Sequence, residues 1–79
     1  MKPERQTRLL LSRLKPGERG QVAAYLDPQN LGARRLALLG LVPGELFSVE
    51  RTLPEIIIRF GYTRVAINRK LAQQMMIIK

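Results

Sequence analysis

From residue 45 to residue 67 the chain alternates apolar and polar positions with a period of two. In residues 45–51, Phe47 and Val49 fall on one face, and in residues 55–60 Ile56, Ile58 and Phe60 do the same, leaving Ile57 and Arg59 opposite. Residues 63–67 follow a tight Gly61-Tyr62 turn, so the last two runs predict a hairpin. Residues 21–26 alternate more weakly and predict an earlier strand with Val22, Ala24 and Leu26 facing one way. Residues 75–79 predict a final strand, preceded by one helical turn over 68–74 with Asn68 as its cap. Residues 9–14 form a short apolar entry to the domain, and Lys15 to Gly20 reads as a turn around Pro16-Gly17.

Between the first two of these strands the period changes. Asn30 caps a helix over residues 31–39, in which Gly32, Leu36 and Leu39 recur at i, i+4 and i+7 and are expected to face the core. Leu31 and Leu38 fall on a different face, flanked by Arg34 and Arg35. Gly32 implies close approach of the helix to its neighbour, because a mid-helix glycine otherwise costs about 1 kcal/mol relative to alanine. Gly40 is placed to end the helix in a left-handed cap, and Pro43-Gly44 to turn the chain into the next strand. Five short strands punctuated by turns predict a mainly β fold, a small barrel carrying one short helix. Residues 56–58 and 75–78 are apolar on both strand faces. One face fills the barrel; Ile57, Met76 and Ile78 lie either under the N-terminal segment or in a contact between subunits. Residues 1–8 are polar and basic and are expected to form a flexible tail, leaving residues 9–79 as one domain.

Composition narrows the chemistry. The chain has 79 residues, with no cysteine and no histidine. A disulfide framework, a thiolate nucleophile and a histidine-based triad are excluded, and so are the usual zinc ligands. The acids, Glu4, Glu18, Asp27, Glu45, Glu50 and Glu55, are scattered, and neither Ser12 nor Ser48 lies in a nucleophile motif. No enzymatic activity, no cofactor and no stoichiometric metal are expected. No run approaches the roughly 20 apolar residues of a membrane span, and the three-leucine run near the N-terminus is too short for a signal peptide. A cytoplasmic protein is expected.

Ten arginines and four lysines against six acids give a net charge of +8, a field that attracts anions. Gly40, Pro43 and Gly44 do not form a phosphate loop, because the helix precedes the glycines and no lysine follows them. Tyr25 and Tyr62 are isolated and form no aromatic-basic motif, which weakens a nucleic-acid-binding reading without removing it as the alternative. Arg34, Arg35 and Leu38 make the sharper candidate: an apolar anchor ringed by arginines, suited to a protein interface.

Leu14 to Gly20, Arg35-Leu36-x-x-Leu39-Gly40-Leu41-Val42-Pro43-Gly44, Val49-x-Arg51, Val65-Ala66-Ile67 and Ala72-x-x-Met75-x-Ile77 together resemble the FeoA family of small accessory proteins of bacterial ferrous-iron transport. Gly17, Gly20, Leu36, Leu39, Gly40, Pro43 and Gly44 carry the motif. The resemblance spans about residues 11–78 and implies an SH3-like barrel and a membrane partner, the FeoB-type GTPase transporter. The same domain also ends iron-dependent repressors of the DtxR type, but this chain has no room for their other parts. Family members often carry a longer Pro-Leu-Gly-Asp-Pro loop where this chain has only residues 52–55. The resemblance leaves open whether the chain self-associates.

Overall fold

A computed structural model describes residues 6–79. Six antiparallel strands form one sheet: β1 (Arg8–Leu10), β2 (Arg19–Tyr25), β3 (Leu46–Arg51), β4 (Ile56–Phe60), β5 (Thr63–Ile67) and β6 (Met75–Ile78). They lie side by side in the order β1-β6-β2-β3-β4-β5. Two helices interrupt them, α1 (Leu31–Leu38) between β2 and β3 and α2 (Arg69–Ala72) before β6. Asn30 and Asn68 cap them, each side-chain oxygen accepting hydrogen bonds from the first-turn amides.

Strands β2 to β6 all send side chains into one core. Val22, Phe47, Val49, Ile58, Ile67, Met75 and Ile77 are buried there with Leu11, Leu36 and Leu41. The period-two pattern from residue 45 onward holds, because each of β3 to β5 keeps one face on that core.

The structure departs from the sequence pattern at three places in the sheet. First, the sheet has six strands where five were expected. The entry segment supplies β1, pairing Leu9 with Ile77 and Leu10 with Met76, before one 3-10 turn drives Leu11 into the core. Second, the tail is shorter than residues 1–8. Thr7 exchanges backbone hydrogen bonds with Lys79, and Arg8 already belongs to β1; the tail expectation for residues 1–5 lies outside the described residues. Third, Ala24 and Leu26 do not share the buried face of Val22. The β2–β6 register shifts between Val22, opposite Ile77, and Ala24, opposite Met76. One extra residue in one strand exchanges its faces beyond that point. Tyr25 therefore packs on the core, while Ala24 and Leu26 are exposed. Met76 and Ile78, both half-buried, lie beside β1 in the sheet. Ile57 lies three strands from β6, opposite Ala66, and β1 does not reach it.

The bulge has an energetic consequence. The Tyr25 hydroxyl donates to the Leu41 carbonyl at 2.6 Å, tying β2 to the segment that follows α1. Burial pushes this phenol up to about 12. A folded-state value above the unfolded one gives stability that is complete below pH ~10 and lost as pH rises toward 12. Discounted for the solvent that reaches the half-buried ring, the expected loss is about 1–2 kcal/mol. Tyr25→Phe should cost about 1 kcal/mol near neutral pH through the missing hydrogen bond. It should also be flatter than wild type over that alkaline interval. Urea midpoints measured against pH for both proteins test this; parallel curves would refute it.

Candidate partner-binding surface

Helix α1 is held by its ends and its inner face. Asn30 Oδ1 accepts from Gly32 N at 2.8 Å and Ala33 N at 3.2 Å. Ala33 and Leu36 are buried beneath it. Gly32 faces α2 so closely that a Cβ there would lie 2.9 Å from Leu71 Cδ2.

Leu39, expected in the core, is 54% exposed. The reason lies in how the helix stops. Gly40 takes φ +106 and its N–H donates to the Ala37 carbonyl at 3.0 Å; the Leu41 N–H donates to the Leu36 carbonyl at 3.0 Å. This pair of bonds is a Schellman motif, in which the second residue past the cap folds back onto the last turn. Leu41, fully buried, takes the place beside Leu36 that the 3.6-residue pattern gave to Leu39. Leu39 becomes the cap residue and points away from the core.

The turn that follows is equally fixed. The Glu45 N–H donates to the Val42 carbonyl at 2.9 Å, with Pro43 and Gly44 at the corners and Gly44 at φ +98. The Gly44 N–H and Glu45 carbonyl both bond to Val22 of β2, at 2.8 and 2.9 Å. The other motif glycines have different work. Gly17, exposed, carries a left-handed turn whose N–H reaches the Val49 carbonyl. Gly20, buried in β2, leaves room for Phe47, whose Cζ would sit 3.0 Å from an added Cβ.

What α1 turns outward is an apolar and basic surface. Leu31 and Leu38 are 61% and 89% exposed. Seven residues apart, they stand on one face about 10 Å from each other along the axis. Arg34 and Arg35 lie between them, both exposed and neither in an ion pair among the described residues. Leu39 and Val42 extend the apolar surface past the helix end. The candidate residues Arg34, Arg35 and Leu38 thus share one exposed face. Leu39 and Val42 were missed, although Gly40 followed by Leu41 carries the Schellman signal that exposes them.

Among the described residues no three acids cluster as metal ligands. Glu50 pairs with Arg64 at 2.8 Å, Asp27 accepts from the Gln29 N–H, and Glu18 pairs with Lys79. Its hydrogen bond with the Lys79 ammonium, helped by the Lys15 backbone N–H, holds the Glu18 carboxyl below its ordinary value. Among the described residues no helix is long and apolar enough to cross a membrane.

The profile of the FeoA domain matches residues 9–79. The crystal structure of an iron uptake regulatory protein, FeoA, superposes with a TM-score of 0.78 at 32% identity, covering 90% of this chain and 95% of that one. The FeoA of Stenotrophomonas maltophilia, an SH3 domain protein determined in complex with zinc, gives 0.75 at 27% identity over 87% of this chain and 88% of that one. The T. acidophilum IdeR gives 0.82 at 18% identity over 98% of this chain but only 35% of its own, a likeness of fold alone. A search of the curated proteins found no match.

Proposed function

The chain belongs to the FeoA family, and from that premise we propose that it is a non-enzymatic cytoplasmic accessory protein that docks on the cytosolic GTPase region of a FeoB-type ferrous-iron transporter. The observation that carries this reading is the outward face of α1. Leu31 and Leu38 are exposed on it, and Leu39 and Val42, also exposed, follow at the helix end; apolar side chains grouped in this way mark interaction sites. Arg34 and Arg35 add long-range attraction and favoured interface chemistry. The Schellman cap and the Val42–Glu45 turn hold that face rigid, which lowers the ordering cost of association.

The test is surface binding of the whole protein to the purified cytosolic region of the transporter, with single-stranded and duplex oligonucleotides as parallel analytes at physiological salt. Saturable binding to the transporter alone supports the reading. Tighter binding to the oligonucleotides would replace it with the nucleic-acid alternative suggested by the charge of +8.

The donor set does not suit a resident metal. Histidine and cysteine are missing from the sequence, and three of the five described acids already hold partners. Anaerobic titration calorimetry with Fe(II) and with Zn(II) is expected to show no one-to-one isotherm at about micromolar affinity or better. Such an isotherm would mean that this protein handles the ion itself.

A further inference from the structure

A second surface, sharing no residue with α1, lies across β2, β3 and β4. Three strand registers bring it together. Arg19 pairs with Ser48, Ser48 with Arg59, and Arg59 with Arg64, so these four positions form one cross-strand row. Arg19, Arg59 and Arg64 are all exposed. Glu50 takes Arg64 at 2.8 Å and reaches Arg59 only at 3.8 Å, and Arg19 is in no ion pair among the described residues. The adjoining row places Leu46 opposite Gln21 and Gln21 opposite Ile78.

Beside these rows the surface dips into an open groove of about 620 Å³. Arg19, Arg59 and Lys79 line it together with Leu46, Ser48 and Ile78; Lys79 is already paired with Glu18, which leaves Arg19 and Arg59 as the cations open to a ligand. Its walls therefore combine cations with aliphatic surface. Leu46 is 68% exposed there.

We propose that this groove docks an acidic, extended segment of a partner protein, its carboxylates on Arg19 and Arg59 and an intervening apolar side chain against Leu46 and Ile78. Charge complementarity selects that occupant. A second copy of the chain carries the same +8 and would meet the groove with like charge. Residues 1–5, with Lys2 and Arg5 against Glu4, are themselves basic. A single-stranded nucleic acid would satisfy the arginines, but its bases need exposed rings to stack on. The aromatic residues at the groove, Phe47 and Phe60, are 4% and 5% exposed. Arginine forks suit carboxylates in pairs, and the aliphatic floor suits a leucine-like anchor.

The experiment is a titration of the isotopically labelled full chain, followed by amide NMR. The probes are a short capped peptide alternating Glu and Leu, the same peptide with Lys for Glu, and oligothymidylate. The Glu-Leu peptide should give saturable shifts centred on Arg19, Gly20, Ser48 and Gly61, and the Lys-Leu peptide none. Raising salt from about 50 to about 300 mM should weaken binding several-fold. The double variant R19Q/R59Q should weaken it at least about tenfold while keeping the wild-type melting temperature. Should that variant fail to fold, R59Q alone and the salt series on the wild type carry the same decision. Absence of saturation by about 1 mM would overturn the proposal. So would shifts centred on α1, or tighter binding of oligothymidylate at the same amides. Because α1 contributes nothing to the groove, loss of this binding is separable from loss of transporter binding.

Discussion

Leu36→Asp is expected to leave the protein unfolded at room temperature, while Leu38→Asp melts within about 5 °C of wild type. The two positions lie two residues apart on one short helix, and their burial differs completely, 6% against 89% exposed. Leu36 packs with Leu41 as the apolar pair of the Schellman motif, inside a core with no buried polar or charged residue among the described ones. Truncation to alanine would already cost about 2–5 kcal/mol. A carboxylate there has no cation to meet, and the added desolvation costs several kcal/mol more. At roughly 0.05–0.15 kcal/mol per residue, 79 residues have only about 4–12 kcal/mol of stability to lose. Leu38→Asp removes little packing. Its main cost is a negative charge at the negative end of the helix dipole, about 0.3–1 kcal/mol. Leu39→Asp should behave much more like Leu38→Asp than like Leu36→Asp, since the cap residue is 54% exposed. Thermal melts followed by circular dichroism separate the cases. Cooperative melting of Leu36→Asp near the wild-type temperature would mean that α1 does not sit on the core through this face.

That contrast also shows how far the linear pattern reaches. Strands β3, β4 and β5 were legible because each keeps one face on the core for its whole length, so the alternation of Phe47 with Val49 and of Ile56 with Ile58 reports burial directly. The caps at Asn30 and Asn68 were legible because capping is local chemistry. Leu39 was misplaced because helical periodicity was extended one residue beyond the last true helical position, where the Schellman fold-back hands its place to Leu41. Ala24 and Leu26 were misplaced because a bulge depends on the partner strand β6 and leaves no mark on β2 itself. Strand β1 is three residues long and exists through its pairing with β6. The basic row is the extreme case. Arg19, Ser48, Arg59 and Arg64 are scattered over 46 positions and meet only through three ladder registers. By contrast, Arg34, Arg35 and Leu38 were found from the sequence because one helix turn brings them together.

Leu38→Asp should fold nearly as well as wild type yet bind the transporter's cytosolic region at least about tenfold more weakly, and about thirtyfold if Leu38 is the central anchor. The argument rests on what the folded α1 must give up on docking. Its outward leucines are already fixed in place by the Asn30 cap, the Gly32–Leu71 approach and the Gly40 stop, so their burial is offset by little lost backbone freedom. Leu38, the most exposed of them, has the most surface to bury. An aspartate in its place must be desolvated against the partner, which adds a penalty to the lost apolar contact. Leu31→Ala and Val42→Ala should weaken binding less, since they lie at the two ends of the surface. Replacing Arg34 and Arg35 together by Glu should act through the other kinetic constant. Association should slow, and the effect should shrink as salt is raised, because exposed guanidiniums steer the encounter more than they hold the complex. Surface binding kinetics read all four variants, with a thermal melt of each as the folding control. If Leu38→Asp binds like wild type while folded, α1 is not the docking face. The contact with the transporter must then be sought elsewhere on the sheet, with the Arg19–Arg59 groove the first surface to test.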